Sequence, residues 1–160
     1  STGAEATAEA LCRALSVHDL VHVTAHGSFR SDHPLLSTLR LIGGEATLYD
    51  VIPDTVAARL VVLSSCEAGA QGGAEGSEVL GFAAVMLARG AAAVLAPTTT
   101  VDDLECAAFV AEVHERIADG AELGAAAADV RRRWWNDGNL ARWAVASSFT
   151  CYGSSGVRRA

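Results

Sequence analysis

The sequence contains no lysine, and all twelve of its basic residues are arginine. Apart from the run RRR at 131–133 it has no basic stripe, and its net charge at pH 7 is −7. Binding to a nucleic-acid backbone relies on clustered positive charge, so the composition gives no support for a nucleic-acid partner. We attribute the absence of lysine itself to compositional bias.

Long apolar runs are also missing. No segment reaches the roughly 18–20 uninterrupted apolar residues that a membrane span needs, and the first residues, STGAEATAEALCRAL, lack the basic start and apolar middle of a signal peptide. Half of the residues are nevertheless apolar (51%), which favours a folded globule over a disordered chain. We therefore expect a soluble, cytoplasmic protein with no membrane partner.

The four cysteines, at 12, 66, 106 and 151, contain no CxxC pair. This spacing excludes a zinc ribbon and a thioredoxin-type site, and in a cytosolic chain it predicts reduced thiols. A metal site built from His22, His26 and Cys66 has suitable ligand types. However, residues four apart on a strand are roughly 13 Å from each other, too far for one ion. We expect neither a metal nor another cofactor.

Apolar patterning predicts one domain over residues 1–153, followed by a frayed tail at 154–160. Helical spacing predicts helices over about 4–16, 77–90, 104–120 and 121–135. Short β-rich runs predict strands at 20–25, 59–65, 91–97 and 142–153, and a hairpin turning at Gly43-Gly44 precedes a short helical turn. This alternation predicts an α/β fold whose mainly parallel sheet has helices on both faces.

Two of the predicted strands end in residues that can carry nucleophilic chemistry. His26 follows the strand LVHVTA, and Cys66 follows RLVVLSS. The carboxyl ends of parallel strands meet at one crevice, and an imidazole there can hold a thiol as the thiolate. The backbone N–H groups of Gly27 and Cys66 can stabilise an oxyanion. Alone, each residue is more often structural, but their occurrence together at two strand ends favours a catalytic pair.

The other candidate features are weaker. The glycine-rich segment GAQGGAEG at 69–76 lacks the Lys-Ser/Thr ending of a phosphate-binding P-loop, so we interpret it as a mobile substrate-binding loop. His22 lies within a strand and is interpreted as a core histidine. His18, His33 and His114 show no pattern that singles them out. Asp102 or Asp103 is expected to cap the helix that follows.

These motifs resemble the CHAT-domain peptidases, bacterial relatives of caspases and separases. The likeness covers nearly the whole chain and rests on the segments VHVTAHG (21–27), HPLLSTLRL (33–41), ATLYDVI (46–52), RLVVLSSCEAG (59–69), AEGSEVLGFAAVMLARGAAAVLAPTTTVDD (74–103) and WAVASSFTCYG (143–153). The chain departs from the family pattern at Ser65, at Ala68 and at PTTT (97–100), where the family commonly has a tryptophan-proline pair.

The resemblance implies a caspase-like three-layer α/β sandwich, with further strands upstream of residue 1 and often a TPR-like repeat module attached. It also implies His26 as the catalytic histidine and Cys66 as the nucleophile, with Gly27 and Cys66 as oxyanion donors. By likeness to separases, Asp103, or less favourably Asp102, lies at the base of the pocket for the P1 residue and selects arginine or lysine. Glu67 and Glu75 are lesser candidates for that role.

The expected function is therefore a cysteine endopeptidase acting on a protein or peptide substrate. A second possibility is a caspase-like interaction or signalling module in which the dyad is idle or gated. Without upstream strands such a module has a sheet edge that can pair with another chain. A third possibility, an acyl-transfer or thioester-hydrolysing enzyme using the same pair, has no motif of its own here.

Overall fold

The computed structural model describes residues 6–28, 30, 32–64, 77–99, 101–154 and 156–159. Within these residues the strands are β1 (Leu20–Val23), β2 (Gly27–Ser28), β3 (Thr38–Leu41), β4 (Gly44–Thr47), β5 (Leu60–Leu63), β6 (Ala93–Pro97) and β7 (Phe149–Gly153). The α-helices are α1 (Ala8–Val17), α2 (Leu48–Val51), α3 (Ser77–Ala88), α4 (Asp103–Ala118), α5 (Leu123–Asn136) and α6 (Leu140–Ser148). A 3-10 turn covers Pro34–Leu36.

The main sheet has the strand order β1-β5-β6-β7. Strands β1, β5 and β6 are parallel, with Leu20 opposite Leu60 and Leu60 opposite Ala93, whereas β7 runs antiparallel to β6. The predicted mainly parallel sheet is confirmed. Every side chain of β5 and β6 is buried, as expected for strands that are covered on both faces.

Helices cover the two faces of this sheet. Side chains of β5 point alternately to opposite sides. Val61 and Leu63 pack with α1, α2 and α3, while Leu60 and Val62 pack with α4, α5 and α6. The result is the three-layer arrangement that the alternation of strands and helices predicts.

A smaller antiparallel sheet, in the order β2-β3-β4, projects from the carboxyl end of β1. Gly43 and Gly44, with φ of 99° and 130°, form the predicted turn between β3 and β4. These φ values lie in the region that only glycine adopts without strain. Thr47 and Asp50 form a capping box at the start of α2. The two-residue strand β2 was not predicted, yet it fixes the backbone next to His26.

The predicted last strand, 142–153, is wrong in its first half. Residues up to Ser148 belong to α6, and the strand begins at Phe149. Asn139 caps this helix, since its side chain accepts a hydrogen bond from the backbone N–H of Arg142 at 3.1 Å. Val145 and Ala146, adjacent on the inner face of α6, are buried in the core under α4 and α5. Tertiary packing has therefore overridden the β propensity of this segment.

The chain end does not fray at Val157, which is 7% exposed. Its carbonyl oxygen accepts a hydrogen bond from the N–H of Leu123 at 3.1 Å. Arg158 pairs with Glu122 at 3.4 Å. Part of the predicted tail is thus packed against the start of α5. No helix in the described part of the chain is both long enough and apolar enough to cross a membrane.

Candidate active site

A crevice of about 490 Å³ lies at the carboxyl ends of β1 and β5. One side is formed by His22, Thr24, His26 and Ser64 from these strands and the turns after them, and the opposite side by α4. The position agrees with the rule that open α/β sheets bind ligands beyond the carboxyl ends of their strands. Two of the predicted site residues, His26 and Asp103, therefore line a concave surface.

His26 is the last residue of the connection between β1 and β2, and Gly27 is the first residue of β2. The carbonyl oxygen of His26 accepts a hydrogen bond from the N–H of Arg40 in β3, at 2.7 Å. In an antiparallel ladder, hydrogen-bonded pairs alternate with pairs that are not hydrogen-bonded. Because His26 and Arg40 form a hydrogen-bonded pair, the next pair, Gly27 and Leu39, is not hydrogen-bonded, and the N–H of Gly27 points away from β3. The small sheet thus fixes the backbone at His26, and the Gly27 N–H takes no part in the hydrogen bonds between β2 and β3.

The other strand end is described as far as Ser64, two residues before Cys66. The N–H of Ser64 donates to the carbonyl oxygen of Val23 at 3.0 Å, which continues the β1-β5 ladder by one more bond. Cys66 itself lies outside the described residues, as do Glu67, Glu75 and the glycine segment at 69–76. Their predicted roles remain predictions.

The two aspartates of VDD have different positions. The Asp102 carboxylate accepts hydrogen bonds from the N–H groups of Leu104 and Glu105, at 3.0 and 3.1 Å, and so caps α4. Asp103 is the first residue of α4, is exposed, and lines the crevice together with His26. The sequence left open which aspartate caps the helix. Asp102 does so, and Asp103 is the carboxylate at the crevice.

His22 was interpreted from the sequence as a core histidine, but its side chain lines the crevice and is partly exposed. Its Nε2 lies 2.7 Å from Ser64 Oγ and 3.1 Å from Thr24 Oγ1. The His114 ring on α4 faces it, with the ring centroids 5.1 Å apart. His22 is therefore hydrogen-bonded, as expected, but it belongs to the site and not to the core.

The surroundings of His22 and His114 favour the neutral forms of these two rings. Desolvation by the surrounding protein, and to a lesser extent the nearby His114, lower the pKa of His22 to about 4. Desolvation also lowers the pKa of His114. Because burial disfavours the charged form, both rings are uncharged near neutral pH. No pattern in the sequence singles out His114, and the signal for His22 is its period-two spacing from His26.

The sheet topology and the crevice at the strand ends define a caspase-like α/β domain. A family model, the CHAT domain, matches residues 1–154, and the chain belongs to this family. The family is related to the caspase-like cysteine peptidases. A search of the curated proteins finds no match to the sequence.

Proposed function

We propose that the protein is a cysteine endopeptidase that hydrolyses peptide bonds through His26 and Cys66. The observation that carries this proposal is the crevice at the paired ends of β1 and β5. His26 lines this crevice, and β5 directs the chain to Cys66 two residues after Ser64. Membership of a family related to cysteine peptidases supports the same reaction.

In the proposed mechanism the Cys66 thiolate attacks the scissile carbonyl carbon. The backbone N–H groups of Gly27 and Cys66 stabilise the oxyanion, and the Gly27 N–H is not paired with β3. His26 then protonates the leaving amine, so that the acyl-enzyme forms. In the second step neutral His26 takes a proton from water, the hydroxide attacks the acyl carbon, and the C–S bond breaks. The acid leaves, and the Cys66 thiolate and the protonated His26 are restored.

A second candidate function, an interaction module with an idle dyad, is favoured by the outer edge of β1. Among the described residues β1 pairs with β5 alone. A groove of about 430 Å³ runs along this edge between α1 and β1, where Thr7, Leu11 and Val21 contribute to its walls. An unpaired strand edge is a surface on which another chain can pair.

A thiol-reactive peptide ending in arginine distinguishes the two functions. We expect it to label Cys66 faster than the other cysteines, because a nearby imidazole raises the thiolate fraction. Cys106, 2% exposed, and Cys151, whose thiol pKa is raised by desolvation, are internal controls. Peptide mapping by mass spectrometry measures the rates, with and without competing substrate. Equal labelling of Cys66 and Cys151 favours the interaction module.

The proposed preference for a basic P1 residue depends on Asp103. A carboxylate facing a guanidinium forms strong, bidentate hydrogen bonds. We expect Asp103→Asn to lower kcat/KM for peptides with P1 arginine by about 10- to 100-fold, the value of a hydrogen bond to a charged group. Cleavage of a peptide library by the full-length protein measures this effect as a change in P1 preference.

The matched variant for this test is Asp102→Asn. Asparagine caps a helix about as well as aspartate, so the variant removes a neighbouring charge and keeps the cap. If Asp102→Asn lost the preference for arginine and Asp103→Asn kept it, the P1 pocket would depend on Asp102 and the proposed role of Asp103 would be wrong. An unchanged P1 preference in both variants would show that neither aspartate of VDD takes part in the recognition of the P1 residue.

A further inference from the structure

A triangle of one imidazole and two hydroxyl groups joins the ends of β1 and β5. Ser64 Oγ lies 2.7 Å from His22 Nε2, and Thr24 Oγ1 lies 2.8 Å from Ser64 Oγ. The third side, between Thr24 Oγ1 and His22 Nε2, measures 3.1 Å. The two contacts of Ser64 join it to Thr24 and His22, which lie 40 and 42 positions earlier in the sequence.

The place of the triangle in the sequence relates it to the proposed dyad. Thr24 lies two residues before His26, and Ser64 lies two residues before Cys66. The Ser64 N–H also donates to the Val23 carbonyl oxygen at 3.0 Å, so backbone and side-chain bonds both link the strands at this level. The separation of the two strand ends is therefore set immediately before the chain reaches the dyad residues.

The environment of His22 suits a hydrogen-bonding role and not a proton-carrying one. His114 faces the ring from α4, and Asp103 and His26 line the same crevice. On the other side of β1, His18 lines the groove shared with His22. Desolvation and His114 lower the pKa of His22 to about 4, so the ring is neutral when His26 must exchange protons.

We infer that His22, Thr24 and Ser64 are positioning residues that hold the end of β1, which leads to His26, against the end of β5, which precedes Cys66 in the sequence. This inference rests on the proposed peptidase function and adds to it three residues that act by holding the two strand ends together. Reactions between positioned groups are sensitive to small displacements, since a shift of 1 Å can reduce the rate by about 100-fold. Loss of the triangle should therefore affect the chemical step more than substrate binding.

The test uses Thr24→Val, which keeps the branched shape of the side chain and removes its hydroxyl. We expect kcat to fall by about 10- to 100-fold while KM stays unchanged. Thr24→Ser, which retains a hydroxyl, should restore most of kcat. Ser64→Ala should resemble Thr24→Val, and the double variant should be little worse than either single variant, because both remove the same network.

Thr47→Val is the matched control. It makes the same chemical change at the cap of α2, on a hydroxyl that donates to Asp50 at 2.5 Å. This variant should lower stability by about 1 kcal/mol, as is usual for a lost cap, and leave kcat unchanged. Equal losses of kcat in Thr24→Val and Thr47→Val would overturn the positioning role. The positioning role would also be overturned if Ser64→Ala were as inactive as Cys66→Ala while Thr24→Val kept its full activity.

A failure of the proposed peptidase function can be told apart from a failure of this inference. If the proposed function is wrong, cleavage of peptides does not depend on Cys66. In that case NMR spectra of the imidazole groups decide the inference. We expect Thr24→Val and Ser64→Ala to shift the His26 ring resonances and Thr47→Val to leave them in place. His26 resonances that are unchanged in all three variants would overturn the inference, whatever the reaction.

Discussion

Replacement of Cys66 by alanine should abolish peptide-bond cleavage. The sulfur forms the covalent intermediate in the proposed mechanism, and the methyl group of alanine cannot form an acyl-enzyme. Removal of a nucleophile or its partner base commonly lowers kcat by about 10⁴- to 10⁶-fold. The measurement is kcat/KM on the best peptide from the library, together with thermal unfolding to show that the variant is folded.

His26→Ala should cause a loss of similar order, because thiol and imidazole act as a unit. The double variant should then be no less active than the worse single variant. Cys12→Ala provides the control, since it makes the same cysteine-to-alanine change on α1, outside the crevice. Unchanged cleavage by Cys66→Ala would rule out the mechanism. If His26→Ala stayed nearly active while Cys66→Ala was inactive, the general base would be another imidazole, such as His114.

The location of the site could be predicted because it depends on local signals and one topological rule. Apolar β-branched runs end at Val23 and Leu63, and a helical segment separates each strand of the parallel sheet from the next. Parallel strands have their carboxyl ends on one side of the sheet. The positions of His26 and of Ser64, two residues before Cys66, follow from that rule without any knowledge of side-chain contacts.

The composition of the crevice could not be predicted in the same way. The Ser64–Thr24 contact depends on the register between β1 and β5, which pairs Val23 with Leu63. The His22–His114 contact further depends on which side of α4 faces β1. Neither the register nor the rotation of the helix is encoded in the spacing of single residues. The signal that the sequence does contain is a period-two pattern of polar residues at the end of a strand, His22, Thr24 and His26.

The α6 segment shows a different limit. Its aromatic and β-branched residues favour a strand when considered locally. The helix forms because Asn139 caps it and because Arg142, near its start, is held from two sides. Arg142 Nε donates to Glu105 at 2.7 Å, and its guanidinium lies 4.3 Å from the centre of the Trp134 ring. These partners come from α4 and α5, so they are not visible in the segment itself.

Trp134→Ala should produce the largest loss of stability among single core substitutions on the α4 side of the sheet. The side chain is fully buried and packs edge-to-face on Phe109, with the ring centroids 5.7 Å apart. Its Nε1 donates to Glu112 Oε1 at 3.0 Å. Removal of a buried tryptophan leaves a cavity and typically lowers the free energy of unfolding by about 3–5 kcal/mol. Here the substitution also takes a donor from the Glu112 carboxylate, whose side chain is only 16% exposed.

The neighbouring residue provides the matched control. Trp135 is 55% exposed and contacts Trp143, with centroids 5.0 Å apart. Trp135→Ala should therefore lower the free energy of unfolding by only about 1 kcal/mol. Urea denaturation of the two variants measures the difference. Since a domain has a total stability of about 5–15 kcal/mol, Trp134→Ala alone can bring this one close to unfolding. Equal losses in both variants would contradict the packing of α5 between α4 and α6, and with it the position of the crevice wall that α4 forms.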